Sequence, residues 1–398
     1  MKVRGVASFF AICIFAGSSA IAFQFPKIKF VGLSNTNECD ENEPSKILKK
    51  GLEEAALLQQ SLEKHCNKNG VLLCWAPQIT ESYEVANMIF QEVALRSNYS
   101  RSSKSSCLIS FPCMTRQTDL GKLSSVLQSS KCKQLLGIDS VECELYPKSP
   151  APYIYMEFNG SIVGDVTDEP TENAASATKR WLKEFLGKYR LCPYTSSASR
   201  AAVGLASVGV PVGGVHIQVV QRETSATKAA LIVSAFWAEV VTLMQSSQDE
   251  WATSLVVFPE YDNDFQSFFE VCDDIIEPTV VATQATEFIG RAWFHPQYDA
   301  NQVGHTDVIA GHAVPHKMVE GFMNSLNLES ATENGERMEF EELVSSNNLV
   351  RHTPHTTINI LRRSQLKAAA EYEKGLGAKR PKPNSIYVRN AIRLSNHR

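Results

Sequence analysis

Between Trp251 and Tyr298 the chain reads Ser254-Leu-Val-Val-Phe-Pro259, then Asp264-Phe-Gln-Ser-Phe-Phe-Glu-Val-Cys272, then Phe288-Ile-Gly-Arg-Ala-Trp-Phe-His-Pro296. Two apolar runs of strand length, each stopped by proline, flank a segment of helical period, so the spacing predicts a strand, helix, strand unit. Polar groups gather where the strands end: Glu260, Asp262 and Asp264 after the first, His295, Gln297 and Tyr298 after the second. If the strands run in the same direction, these groups share one rim of a sheet, where open α/β sheets hold ligands.

A similar order of elements stands upstream. A helix from Ile47 to His65 leads to the apolar run Val71–Trp75, a helix Tyr83–Leu95, a strand Cys107–Pro112, a helix from Asp119 and a strand ending at Tyr146-Pro147. Downstream, a helix Ser176–Tyr189 leads to a strand His216–Val220, a helix Thr227–Met244 and then the unit quoted above. Ser82 and Ser225, Asp119 and Asp264, Pro112 and Pro259, and Pro147 and Pro296 are each separated by about 145 residues, the mark of an internal repeat. The helical faces agree as well, Ala86, Ile89, Phe90 and Val93 matching the spacing of Ala229, Ile232, Val233 and Phe236. The expected fold class is α/β: two tandem related domains, each a small, mostly parallel sheet with flanking helices. Residues 45–158 form a degenerate copy, 159–174 a linker and 175–398 the complete copy, whose sheet the strand Thr357–Leu361 should join.

Where chemistry would sit, the copies differ. Tyr146 replaces His295, and of the acids from Glu260 to Asp264 only the last has a counterpart, Asp119; both of these final acids fit helix N-caps. In the complete copy the candidate catalytic residues are His295, as general base or ligand, and Cys192, as nucleophile. Candidate substrate-binding residues are Arg222, Glu260, His355 and Arg362, the arginines suited to an anionic group. Each has a bland alternative: Cys192 as a packing cysteine at a helix exit, His295 as a buried neutral histidine with a backbone partner, the segment around Arg222 as a helix cap. His305, His312 and His316 lie in an insertion where Pro315 breaks the i, i+4 spacing a metal site on a helix would need, so no metal is assigned.

With 398 residues, 43% apolar, 21% charged and a formal net charge of −4, the composition is globular and offers no global attraction for nucleic acid or an anionic membrane. Lys2 and Arg4, an apolar run from Val6 to Phe15, and small residues at Ala20 and Ala22 form a secretory signal over 1–22. That run is shorter than the roughly 20 residues a membrane span needs. Of ten cysteines, seven lie between Cys39 and Cys143 and none forms a Cys-x-x-Cys pair, against a zinc ribbon. Asn98-Tyr-Ser and Asn159-Gly-Ser are glycosylation sequons only if the mature protein stays in the secretory route.

Two resemblances follow from particular residues. Ala22-Phe23 followed by Pro26, Lys27 and Lys29 resembles the bipartite plastid presequences of diatoms and related algae, with 23–44 as a short transit segment or linker. Leu191-Cys-Pro-Tyr194, Ser254–Pro259 with Asp264-Phe265, Phe294-His-Pro-Gln-Tyr298, Pro354-His-Thr-Thr-Ile-Asn-Ile-Leu-Arg362 and Ile386-Tyr-Val-Arg-Asn390 resemble the successive motifs of a bacterial and algal domain-of-unknown-function family, over about 175–394. Asn359 stands where that family usually has His and Thr356 where it has Pro, and Glu260 also departs from its pattern. The resemblance implies no established activity. Two functional readings stay open: an enzyme acting on a small anionic substrate at the rim of the complete copy, or a non-catalytic binding or assembly module of the plastid. Expected partners are a small-molecule ligand, with no nucleic acid and no membrane after signal removal; the cofactor is unassigned. The presequence resemblance points to the plastid, with secretion or an endomembrane lumen as the alternative.

Overall fold

The structure, a computed structural model, describes residues within 57–96, 105–148, 151–158, 172–187, 199–220, 227–299 and 345–375, a few single positions aside. Residues 1–44, read above as signal and transit segment, together with Tyr146, both expected sequons, Cys192, Arg222, the insertion with its three histidines and the motif at Ile386, lie outside the described residues.

The first half runs β1 (Leu72–Trp75), α1 (Ser82–Arg96), β2 (Ser105–Ser110), α2 (Gln117–Gln128), α3 (Ser130–Leu136), β3 (Ile138–Glu144) and β4 (Tyr153–Phe158). In the second half, α4 (Glu172–Trp181), β5 (Arg200–Ala201), β6 (Gly213–Val219), α5 (Lys228–Gln245) and β7 (Trp251–Val257) come first. There follow α6 (Phe265–Val271), α7 (Glu277–Ala282), β8 (Ile289–Phe294), β9 (Thr357–Arg362) and α8 (Arg363–Gly375). The class is α/β, with sheet orders β1-β2-β4-β3 and β5-β6-β7-β9-β8.

In both sheets three of the four main strands point the same way, but the last strand in sequence inserts between the second and third. Only β1–β2 and β6–β7 are therefore parallel ladders; β4 and β9 run antiparallel to both neighbours. In the first half a short connection explains this, because β3 can return as β4 only by reversing direction, whereas a parallel return needs a long crossover. The strand at Thr357 joins the second sheet as expected, between β7 and β8. Backbone bonds at the strand ends also correspond: Phe111 N–H donates to Pro152 O and Phe258 N–H to Thr356 O, both at 2.8 Å. Pro112 and Pro259 each directly follow the residue so bonded. Glu144 and Phe294 are the last paired residues of β3 and β8, so Leu145 and His295 are each the first residue past the pairing.

Six of the seven β7 residues are buried, as a central strand covered on both faces requires. One inner face packs on α5, whose sequence is apolar all round; Thr227 caps its start, its hydroxyl accepting from Ala230 N at 3.1 Å. By length and composition α5 could cross a membrane, yet here it fills the core. Its other side meets α1, and the predicted face of each helix (Ala86, Ile89, Phe90, Val93; Ala229, Ile232, Val233, Phe236) is buried. The apolar cluster is continuous across this contact, so the two sheets share one core. Lys131 Nζ binds Glu270 at 2.8 Å across the halves, and Gln284, at φ 57°, donates to Asp119 Oδ1 while accepting from Arg116. Asp264 caps α6 through Ser267 N–H, as expected. Asp119 does not cap α2: it lies in the first turn, turned inward, where Ser82 Oγ donates to it at 2.8 Å.

Candidate functional site

Since β7 and β8 point the same way and β9 points against them, one rim of the second sheet gathers two strand exits and one strand entry. Three loops meet there, at Phe258–Asp264, His295–Asp299 and Arg351–Thr356. The expected gathering of polar groups at one rim is what the structure contains, but its chemistry is distributed differently.

His295 was expected to project from the rim beside Glu260; instead it points inward and is fully buried. Its Nε2–H donates to Tyr261 O at 2.7 Å, and its Nδ1 accepts the Gln297 N–H at 2.9 Å. Rings of Phe265 and Phe268 lie 5.0 and 5.9 Å away. Burial pushes its pKa below the ordinary imidazole value, outweighing the raising effect of the Tyr261 carbonyl. With both nitrogens committed to backbone, the ring fixes the single turn of 3₁₀ helix Pro259–Tyr261 onto the exit of β8. It is a positioning residue for the loop that carries Glu260 and Asp262.

The exposed imidazole of the rim is His355, just before β9. Its Nδ1–H donates to Asp262 Oδ2 at 2.6 Å, and the other carboxylate oxygen takes the Thr356 N–H at 2.7 Å. Both side chains are about one-fifth exposed, close enough to the surface to meet a solute. The two bonds hold Asp262, Asp262 holds the ring, and Nε2 is left as the basic atom. Beside the pair the Thr356 hydroxyl is buried with no hydrogen-bond partner. His352 ties the third loop down, its Nε2–H donating to Tyr298 O at 2.9 Å, and the Arg351 guanidinium lies 4.8 Å over the Tyr298 ring. Glu260 shares the 3₁₀ turn; Lys228, in the first turn of α5, reaches its carbonyl at 3.3 Å and lies 5.4 Å over the Tyr261 ring. The rim thus has a cation and a long helix's N-terminal end on the same side as the oriented imidazole.

Arg362 was expected to hold an anion there. It lies at the opposite end of the sheet, because β9 runs against β7 and so finishes where β7 begins. Its guanidinium binds Trp251 O at 3.0 Å, Leu243 O at 2.6 Å and Ser246 O at 2.9 Å, closing the last carbonyls of α5.

A second carboxylate–imidazole pair, missed in the sequence, lies on the inner face of the sheet. His216 Nδ1–H and Ser254 Oγ–H both donate to Glu239 Oε2, at 2.9 and 2.5 Å. The bond to Glu239 raises the His216 pKa above its ordinary value. Ser254 is buried and its proton is directed at the carboxylate, not at the imidazole, which is the wrong arrangement for an activated nucleophile. Of the described cysteines, Cys107 and Cys132 have thiols that burial pushes up to about 12, far from a reactive thiolate.

Residues 173–310 match the model of a family described as "Protein of unknown function (DUF1415)". The match spans a little over a third of the chain, takes in β6 to β8 with the Asp262 turn, and stops before His355. No curated protein and no solved structure matches the chain.

Proposed function

We propose that the second half is an enzyme that moves a proton on a small anionic substrate at the rim, with His355 as general base and acid and Asp262 as its orienting carboxylate. The carrying observation is the 2.6 Å bond from His355 Nδ1 to an Asp262 carboxylate that the Thr356 amide also holds. A carboxylate fixed in this way selects the tautomer with a lone pair on Nε2 and stabilises the imidazolium formed when that atom takes a proton. Lys228 and the start of α5 supply the positive side for the anion. Glu260 lines the same turn, and His295 holds that turn in place. Cys192 and Arg222 belong to this reading only as residues of the same half.

The rest of the reading is organisational. The halves are taken as products of one duplication, supported by the shared strand order and the matching strand-end bonds. The first 22 residues are taken as a signal and 23–44 as a transit segment, giving a plastid location.

The test is turnover of 4-nitrophenyl phosphate and 4-nitrophenyl succinate by the full chain, His355→Gln and Asp262→Asn. The expected result is hydrolysis of at least one compound, falling about 10²–10⁴-fold in His355→Gln with melting unchanged. Turnover that survives His355→Gln, or none in the parent chain together with no shift of the His355 ring signals on adding phosphate, overturns the enzyme reading and leaves the binding or assembly module.

A further inference from the structure

β9 stands between β7 and β8, so the strand ladders tie the third rim loop to each of the other two but never the first loop to the second. Imidazoles complete the circuit. The His295 ring reaches from the second loop to Tyr261 O of the first, His352 Nε2–H of the third reaches Tyr298 O of the second, and His355 Nδ1–H of the third reaches Asp262 of the first. Backbone bonds double two of these ties: His295 N–H donates to Arg351 O at 3.1 Å and Phe258 N–H to Thr356 O at 2.8 Å. The tie between the first and second loops crosses over β9 and rests on a ring that is fully buried.

Of the three rings, His295 is the one that cannot take a proton where it lies. Its Nε2 already carries one, and its Nδ1 lone pair holds the Gln297 N–H at 2.9 Å. A proton on Nδ1 sets two N–H groups against each other and leaves an imidazolium among aromatic rings, with Phe265 and Phe268 at 5.0 and 5.9 Å. His352 and His355 are both partly exposed, where an added proton can be hydrated. Charges bear on the His295 ring from two sides. Burial disfavours its charged form more than Asp262 and Asp264 of the first loop favour it, and His352 of the third loop adds to the opposition. The Arg351 guanidinium, also of the third loop, lies over Tyr298, and α6 turns its phenyl rings toward the imidazole. A protonated ring is therefore better placed in water than in its slot. Its departure frees Tyr261 O, next in the chain to Asp262, and Asp262 in turn holds both His355 and the Thr356 N–H.

We propose that these imidazoles form a latch over the rim and that proton uptake by His295 opens it: the three loops are fastened at neutral pH and come apart locally in acid, with both sheets still folded. The opening stands on the bonds alone; that it switches catalysis off rests on the reading of His355 and Asp262 as the working pair.

Amide hydrogen exchange on the full ¹⁵N-labelled chain, corrected for the intrinsic pH dependence of exchange, reads the latch directly. The Tyr298 and Thr356 amides, bonded to His295 O and Asp262 Oδ1, are the reporters, and the Leu255 amide in the middle of β7 is the control. A ring that is neutral in its slot and titrates at the ordinary 6.5 once released should lower protection at both reporters at least about tenfold between pH 7 and pH 5, with Leu255 unchanged. His295→Gln, which keeps an amide N–H for Tyr261 O and cannot titrate, should show no such fall, whereas His352→Gln should keep it. In the parent chain the His295 ring proton signals should titrate over the same pH range as the loss of protection, a check that needs no variant. Protection that holds to pH 5, a fall that persists in His295→Gln or vanishes in His352→Gln, or a parallel fall at Leu255 overturns the latch. Turnover absent at every pH, with the fall in protection intact, strikes the enzyme reading and leaves the latch standing.

Discussion

Replacing His295 separates its two ring bonds. The Nε2–H bond ends on Tyr261 O in a buried turn, whereas the Nδ1 bond takes the N–H of Gln297, an exposed residue whose amide water can reach. Losing the first should therefore cost far more than losing the second. His295→Leu orphans the Tyr261 carbonyl, worth about 1–3 kcal/mol, and His295→Asn does the same while keeping an acceptor for Gln297. His295→Gln can still reach Tyr261 O with an amide N–H and should cost about 1 kcal/mol or less. At about 2–4 °C per kcal/mol for a domain of this size, His295→Leu and His295→Asn should melt about 2–12 °C below the parent chain and His295→Gln within a few degrees. Urea unfolding followed by circular dichroism measures the order. The pH dependence adds a check. A ring whose folded pKa lies below its ordinary 6.5 contributes stability that is full above 6.5 and is lost as pH falls toward the lowered value, so the parent chain should weaken on acidification through that window. His295→Gln should flatten that part of the curve. If His295→Asn proves as stable as the parent while His295→Gln does not, the buried bond is the other one and the positioning argument fails.

Further outcomes follow from other contacts. Glu239→Gln should return the His216 titration, followed by its ring proton shifts, toward the ordinary imidazole value. Because the folded pKa of His216 is raised, its stabilising contribution is complete below 6.5 and fades as pH rises through the raised value; the variant should lack that slope, opposite in sign to that of His295. Gly213→Ala should cost about 3 kcal/mol by denaturant unfolding, because the added Cβ meets the Gln248 and Ala252 backbones, which cannot turn aside. At Gly137, where φ is 70° and the space is open, alanine should cost only about 1 kcal/mol. Asp119→Asn should lower stability by about 1–2 kcal/mol, because the amide cannot accept from both Ser82 and Gln284 as the carboxylate does.

Much of the architecture is written in local pattern. The Ser254–Val257 run, the two-sided apolarity of α5 and the matching faces of α1 and α5 each state an element and the side it buries. The insertion of β9 is not readable in that way: an outward–inward alternation says which face a residue takes, but nothing local says which neighbours a strand pairs with. That one unknown decides the fate of two candidate residues. At the start of β9, His355 reaches the rim, and at its end, Arg362 is carried to the far edge to close α5. His295 was misplaced for another reason. The residue after a strand can turn either way, and its direction here is set by the Tyr261 carbonyl, which depends on how a separate loop folds back. Asp262 stood in the acidic run but lacked a visible partner, because His355 lies 93 positions away.

The two rims show what the second half has that the first lacks. Both halves hold the same backbone bond where the second strand meets the last, at Phe111–Pro152 and Phe258–Thr356. Ala151 precedes Pro152 as His355 precedes Thr356, and four residues beyond Phe111 the chain has Thr115 where Asp262 follows Phe258. Neither can supply an oriented imidazole. Ala151 is also wholly buried, whereas His355 keeps part of its ring at the surface. Among the described residues the first half meets the second through packing and a few polar contacts: α1 against α5, Lys131 on Glu270, Gln284 on Asp119. Removing those contacts should lower melting before it lowers turnover at the rim, while Asp262→Asn should do the reverse. A first-half substitution such as Lys131→Ala that lowered turnover at the rim without changing stability would show that the halves communicate through more than their common core.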